Sequence, residues 1–164
     1  MTREIQLTQG LVALVDDEDY DTARVHKWYA HRDHRTFYAV RKVRRTNGTQ
    51  AALRLHTFLT GWPMADHING NGLDNQRSNL RPATNAENMR NRTRYTSNTS
   101  GFKGVTWHKQ TRKWQAQINI EKRSRYLGLY DTPETAALAY DAAARQHHGD
   151  FATVNFPQPG ERAA

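Results

Sequence analysis

The strictest pattern in the chain is the alternation Lys113-Trp114-Gln115-Ala116-Gln117-Ile118-Asn119-Ile120. On a strand, Trp114, Ala116, Ile118 and Ile120 fall on one face, and Gln115, Gln117 and Asn119 on the other. Such a strand must cover its apolar face and leave the polar one to solvent or to a polar partner. A suitable cover follows in the sequence. Asp131-Thr132-Pro133-Glu134 reads as a helix start, with Thr132 as cap and Pro133 at the first helical position. Alanines 136, 137, 139, 142, 143 and 144 let that helix approach a sheet closely. Lys103 to His108 and Arg123 to Tyr130 read as the flanking strands. Gly149 ends the helix, and residues 151–156 are expected to pack back. The pattern gives three strand candidates and a helix suited to approach a sheet over residues 101–157, with 158–164 as a tail.

The preceding part of the chain is β-rich. Residues 3–15 alternate around Gln9-Gly10 (Ile5 and Leu7, then Leu11, Ala13 and Val15), as a short hairpin does. Asp16-Asp17-Glu18-Asp19 follows. Asp16 is expected to cap a short helix whose first turn is acidic; a metal role for the cluster is the less economical reading. Thr36 to Arg44 is rich in aromatic and β-branched residues, and Asn47-Gly48 is a strong hairpin signal before Ala51, Leu53 and Leu55. The basic run 41–45 on this hairpin either touches phosphates or protects an edge strand by charge. Gly61-Trp62-Pro63 is a breaker. Residues 93–100 are polar and aperiodic, and 95–100 form the predicted linker.

Composition narrows the possible partners. The 164 residues suggest one domain or two small ones. Net charge is +8 and the pI is near 10. That balance favours a polyanion, with nucleic acid ahead of an anionic membrane. The absence of cysteine excludes disulfide frameworks, thiolate zinc sites and cysteine nucleophiles. No apolar run approaches the roughly 18 residues of a spanning helix, and no apolar signal region follows Met1-Thr2-Arg3-Glu4. A soluble cytoplasmic protein without membrane contact is expected.

One stretch concentrates chemistry. Asp66-His67-Ile68-Asn69-Gly70-Asn71-Gly72 continues to Asn79, Asn88 and Asn91, and seven of the eleven asparagines lie between positions 69 and 91. Ala65 to Ile68 reads as a strand start, Asn69 to Gly72 as a tight loop, and Ser78 to Ala83 as a second strand. Thr84 and Glu87 form a capping box for a helix from Asn85. Hydrolysing a phosphodiester needs an activated water, charge on the phosphate and help for the leaving oxygen. A histidine suits the first task near neutral pH. A carboxylate with an amide oxygen can hold a hard cation such as Mg²⁺. Asn-Gly density by itself is ordinary turn chemistry, and Asn69, Asn71, Asn75 and Asn91 are read that way. His56 is read as packing.

Asp66-His67-Ile68-Asn69-Gly70-Asn71, then Asn75, Ser78-Asn79-Leu80-Arg81, Thr84, Glu87-Asn88 and Arg90-Asn91-Arg92 resemble the HNH endonuclease motif of phage and homing-type enzymes. The spacing is 12 residues from His67 to Asn79 and nine from Asn79 to Asn88. The resemblance covers most of residues 3–94. It implies a ββα-metal core over about 56–93, within an HNH endonuclease domain over 1–94. It further implies His67 as the general base, Asn79 as a brace in the catalytic site, Asp66 and Asn88 as ligands of one Mg²⁺ (or Mn²⁺), and no small-molecule cofactor.

A second resemblance covers 101–156. Gly101-Phe102-Lys103-Gly104-Val105, Trp114-Gln115-Ala116, Tyr126-Leu127-Gly128, Thr132 to Ala143, His148-Gly149-Asp150 and Asn155-Phe156 are similar to the APETALA or ethylene-response-factor type of DNA-binding domain. That family inserts its sheet, not its helix, into the major groove. By this resemblance Thr106, His108, Gln115, Gln117, Asn119 and Tyr126 face the bases. Lys103, Arg112, Arg123 and Arg125 are expected on phosphates, as are Arg90 and Arg92. The fold class the two resemblances imply is α+β: an N-terminal β-rich leader with a ββα-metal unit, then a three-stranded antiparallel sheet packed on one helix. The expected function is a DNA endonuclease targeted to double-stranded DNA, acting as a monomer or weak dimer and encoded by a phage in a bacterial host. The alternative is a non-catalytic, sequence-specific DNA-binding regulator with a degenerate nuclease unit.

Overall fold

A computed structural model describes residues 1–33, 36–91 and 98–164. The protein is a mixed α and β chain that divides into two compact units, Met1–Asn85 and Ala86–Ala164. The linker expected at 95–100 falls in part outside the described residues.

The first unit opens with the antiparallel hairpin β1 (Thr2–Gln6) and β2 (Val12–Asp16). The turn between them places Gln9 at φ 64° and Gly10 at φ 68°. Helix α1 (Asp17–Arg24) begins directly after β2. Asp16 occupies its N-cap position without capping it. The Asp16 carboxylate instead accepts the backbone N–H of Arg77 at 2.7 Å, a bond that ties two distant segments. The acidic first turn remains, and Asp19 takes a bidentate pair from Arg77 at 2.8 and 2.9 Å. The cluster is therefore an anchor for the Arg77 turn.

A second sheet comprises β3 (Tyr29–Asp33), β4 (Thr36–Arg44) and β5 (Gln50–Arg54), with β4 central and both pairings antiparallel. The sequence shows no alternation at β3; its strand character comes from pairing with β4. Helix α2 (Leu55–Thr60) was likewise not expected. It has only six residues, and Gly61 at φ 70° closes it with its N–H on the Thr57 carbonyl at 2.9 Å. Ile5, Ala13, Val15, Ala23, Trp28, Ala39 and Leu55 form the core, with Phe58 and Leu59 packed against it. Next come the antiparallel pair β6 (Ala65–His67) and β7 (Leu80–Pro82), then α3 (Asn85–Arg90). The unit boundary falls just inside α3.

The second unit is the expected sheet on a helix. β8 (Val105–His108), β9 (Lys113–Ile120) and β10 (Arg123–Tyr130) pair antiparallel with β9 central. α4 (Pro133–His148) is capped by Thr132, whose hydroxyl accepts the Thr135 N–H at 3.2 Å. Ala136 and Ala137 pack with Val105 and Ala116, while Tyr140, Ala143 and Ala144 pack with Ile118 and Val154. The small alanines bring helix and sheet together as the sequence implied. Gly104 is required at its place: it has φ +77°, and a Cβ there would lie 2.0 Å from the Tyr140 ring. Residues 158–164, expected as a tail, fold back. β11 (Thr153–Val154) and β12 (Arg162–Ala163) pair parallel, and Arg145 grips Glu161 through two bonds of 2.7 and 2.8 Å.

Candidate nucleic-acid interface and candidate active site

In the first unit the two short strands β6 and β7 bring Asp66, His67 and Asn79 together at one end of a loop. All three are buried. Asn79 accepts the Asn69 N–H on its Oδ1 at 2.9 Å and donates its Nδ2 to the Asp74 carbonyl at 2.8 Å. It therefore clamps loop 69–74 at both ends. Asn69 and Asn71 accept backbone N–H groups two residues on, at 2.8 and 3.1 Å, which is turn chemistry as expected. The loop is further docked by Leu14 N–H to the Leu73 carbonyl and Asn75 N–H to the Leu14 carbonyl, both 2.8 Å. Gly72 is needed there, since a Cβ would meet the Phe37 carbonyl at 2.5 Å and the Tyr38 ring at 2.6 Å.

His67 sits in an aromatic corner. Its ring lies 4.9 Å from His56 and 5.7 Å from Tyr38, both edge-on. Burial lowers the His67 pKa; the Asn75 side chain and the Asp66 and Asp74 carboxylates oppose that shift. Burial, then the charges of His67 and Arg54, push His56 down to about 3. His56 is therefore neutral at physiological pH and serves as packing, as expected. Tyr38 and Arg81 are partners that the motif did not reveal. Arg81 places Nε and Nη2 on Asp66 Oδ2 at 2.9 and 2.7 Å.

A bound hard cation at Asp66 would share that carboxylate with the Arg81 guanidinium. Among the described residues no group of three or more His, Asp or Glu side chains converges as a metal site. One carboxylate with amide oxygens and retained waters is nevertheless a donor set that Mg²⁺ accepts, so the donor types fit. Asn88 belongs to the second unit, and the site geometry described is that of Asp66, His67 and Asn79.

In the second unit the strand register decides which side chains share a face, because directly opposed residues do. Thr106 opposes Gln115 and His108 opposes Lys113. Gln117 opposes Tyr126 and Asn119 opposes Ser124. These residues form one polar face, away from α4. Thr106, Asn119 and Tyr126 are exposed, Tyr126 at 62%. Gln115 donates to Gln117 Oε1 at 3.4 Å, which leaves the Gln117 amide nitrogen unpaired among the described residues. Arg112 is exposed at φ 53° in the β8–β9 turn.

Three expected phosphate contacts are placed differently. Lys103 turns inward: its Nζ donates to the Arg90 carbonyl at 2.8 Å and to the Thr153 hydroxyl, and burial pushes its pKa down to about 8. It is a pin inside the unit, and Arg90 contributes its carbonyl to the same pin. Arg125 opposes Ile118 and Arg123 opposes Ile120. Both arginines are exposed, yet register puts them on the helix-side face, at the flank of the polar row. Arg92 lies outside the described residues. Trp107, which the sequence did not single out, is 45% exposed and meets the Trp114 ring at 5.0 Å.

Comparison with known proteins bears on this geometry. Residues 100–149 match the AP2 domain. Ethylene-responsive transcription factor ERF010 of Arabidopsis thaliana is 48% identical over 65 residues, 37% of this chain and 35% of that protein. APETALA2-like protein 2 of Oryza sativa subsp. indica is 44% identical over 60 residues, 37% of this chain and 14% of that protein. The chain thus spans about a third or less of these plant relatives. Protein 3.8 of Escherichia phage T7 is 38% identical over 87 residues, 53% of this chain and 71% of that protein. On that coverage the chain belongs to the family of phage T7 Protein 3.8, and it carries an AP2 DNA-binding domain at residues 100–149.

Proposed function

We propose that the protein binds double-stranded DNA sequence-specifically through the open face of the β8–β10 sheet. The observation that carries this reading is the polar row Thr106, His108, Gln115, Gln117, Asn119 and Tyr126 on the face that α4 does not cover, in a domain of the AP2 family. Gln and Asn side chains match the edge of adenine, and each good pair discriminates by about 1–3 kcal/mol. Arg112, exposed in the β8–β9 turn, would hold a phosphate, a contact that orients a protein on the duplex without reading sequence. The test is selection from a random duplex library, followed by binding of the selected site. Gln117→Ala should lower the preference for that site tenfold or more. Equal affinity of the wild type for selected and random duplexes would refute the reading.

A second reading, that the first unit hydrolyses DNA, is supported by the buried Asp66 and His67, consecutive on β6, with Asn79 clamping the loop. His67, its pKa lowered by burial, is unprotonated at neutral pH and suited to take a proton from water. Asn79 keeps the loop in place. Asp66 would hold Mg²⁺ or Mn²⁺, which when bound supplies positive charge to the phosphate and the leaving oxygen. Supercoiled plasmid incubated with Mg²⁺ or Mn²⁺, with and without EDTA, tests it. Metal-dependent nicking that His67→Ala abolishes while binding persists is the expected result. No nicking or linearisation of a plasmid bearing the selected site leaves the non-catalytic regulator as the function. The cytoplasm of a bacterial host is part of the same proposal, supported by the phage relative.

A further inference from the structure

The β4–β5 hairpin carries charge that neither site uses. From His34 to Ala65 the chain contains no Asp or Glu, but it contains Arg35, Arg41, Lys42, Arg44, Arg45 and Arg54. β3 pairs with Thr36 to Val40 only, and β5 pairs with Val40 to Arg44. Beyond Val40, therefore, β4 and β5 continue as a ribbon of two strands, closed by a turn with Gly48 at φ 82°.

Register sorts its side chains. Lys42 opposes Ala52 and Arg44 opposes Gln50 on one face. Lys42, Arg44 and Arg45 are exposed, and among the described residues none of the three makes an ion pair. Alternate residues on a strand stand roughly 7 Å apart, so Lys42 and Arg44 present two separate cations in a line. Alternation puts Tyr38 on that same face, and its ring lies 5.7 Å from the His67 ring. Arg54, opposite Val40, also shares the face and covers Tyr38 at 4.5 Å. Arg41 points the other way, over the rings of Trp28 and Phe58 at 5.6 and 5.1 Å. One face of the strand thus runs from a cationic tip to the candidate active site, and the other is packed.

We infer that this ribbon is a second DNA contact of the chain, with Lys42, Arg44 and Arg45 on the phosphates of a duplex that extends toward His67. A two-stranded ribbon is narrow enough to follow the major groove. The tip sequence, Arg45-Thr46-Asn47-Gly48-Thr49-Gln50, has no apolar or aromatic residue. Membrane insertion would want apolar side chains there, and single-stranded nucleic acid would want aromatic platforms. Among the described residues the exposed large apolar side chains of this unit are Met1, Val25 and Ile68, all off the ribbon. Charge without apolar surface selects a duplex backbone. The inference rests on the first unit alone and goes beyond the sheet contact proposed above.

The experiment measures affinity of the full chain for a 30-base-pair random duplex by fluorescence anisotropy in EDTA, from about 50 to 200 mM salt. Each phosphate contact contributes about 0.9 to the slope of log affinity against log salt. Lys42→Gln with Arg44→Gln should lower that slope by about 1.8, so that the advantage of the wild type shrinks about tenfold over this range. The pair Lys42→Arg with Arg44→Lys should keep the wild-type slope, and both variants should keep the wild-type melting temperature. A glutamine pair that folds normally and keeps the full slope overturns the inference. Loss of binding to phosphatidylserine vesicles with an unchanged duplex slope would overturn it in favour of a membrane contact. Gln117→Ala serves as the internal reference, since it should change preference between duplexes and leave the slope intact. If preference falls with Gln117 while the slope ignores the ribbon, the sheet reading survives and the ribbon reading fails.

Discussion

Replacing Asp141 with alanine probes how the β8–β10 sheet is held. Asp141 lies on α4 with no exposed surface. Its Oδ1 accepts the backbone N–H of Asn155 at 2.7 Å and the Asn155 side-chain amide at 2.9 Å, and its Oδ2 accepts the Phe156 N–H at 2.8 Å. Asn155 then ties both backbone groups of Lys103, accepting its N–H at 2.7 Å and donating to its carbonyl at 3.1 Å. One buried carboxylate therefore fixes residue 155, which fixes the entry to β8. A hydrogen bond to a charged group contributes about 1.5–3 kcal/mol. Alanine would leave three donors facing a gap, and because they belong to one network the losses do not add in full. The expected loss is about 4–5 kcal/mol, comparable with the whole stability of a small domain at the low end of about 5–15 kcal/mol. Asp141→Asn keeps the volume but turns an NH₂ toward N–H donors, and should cost about 2–3 kcal/mol. Urea unfolding gives the total, and amide hydrogen exchange locates it. Exchange should quicken at Lys103, Asn155 and Phe156 and stay unchanged within Met1–Asn85. An alanine variant that loses less than about 1 kcal/mol, with slow exchange at 155 and 156, would refute the account.

Gly104→Ala should destabilise the second unit by about 3 kcal/mol, since the methyl group meets the Tyr140 ring at 2.0 Å and φ is positive; an unchanged melting temperature would contradict this. His56 has a folded pKa of about 3 against about 6.5 unfolded, so the unfolded chain holds the extra proton in between. The first unit should then be fully stable above pH 6.5 and lose about 2–3 kcal/mol by pH 4.5 from His56 alone, a loss that His56→Gln should remove from the urea midpoints. Arg81→Met leaves the buried Asp66 carboxylate without its guanidinium and should cost about 3–5 kcal/mol in EDTA. If Asp66 holds a metal, Mn²⁺ at about a hundred times its Kd should return about 2.7 kcal/mol; a melting temperature indifferent to Mn²⁺ would remove Asp66 from the metal set. The β9–β10 turn holds Glu121 and Lys122 at φ 51° and 64°, so Glu121→Asn with Lys122→Gly should stabilise by about 1 kcal/mol, read as a higher melting temperature.

The second unit was more legible in the sequence than the first. Strict alternation in Lys113 to Ile120, a capped alanine-rich helix and the Gly104 position each carry a local signal, and local signals survive folding when every level agrees. The first unit is legible where turns speak, at Gln9-Gly10, Asn47-Gly48 and Asn69 to Gly72. It is silent at β3 and α2, because a strand made by pairing and a six-residue helix leave no period to detect. Side-chain roles were hardest to read. Lys103 and Arg123 are both basic residues beside strands, and sequence cannot say that one turns inward and the other falls on the helix-side face. That distinction depends on register and on a partner 50 residues away, Thr153. Asp16 shows the same limit: it stands where a cap should, and a distant N–H takes its carboxylate.

These placements change what the net charge of +8 means for function. Lys103, Arg77, Arg81 and Arg145, four of the 24 basic residues, are engaged by partners within their own unit. Exposed cations without an ion pair among the described residues include Lys42, Arg44 and Arg45 on the β4–β5 ribbon and Arg112 in the β8–β9 turn. A polar row can discriminate bases only after phosphate contacts have fixed its register on the duplex. Charge on the ribbon and polarity on the sheet therefore answer different needs. On the proposed readings the first would set how strongly salt weakens binding and the second which sequence is bound, so the two should respond independently to mutation.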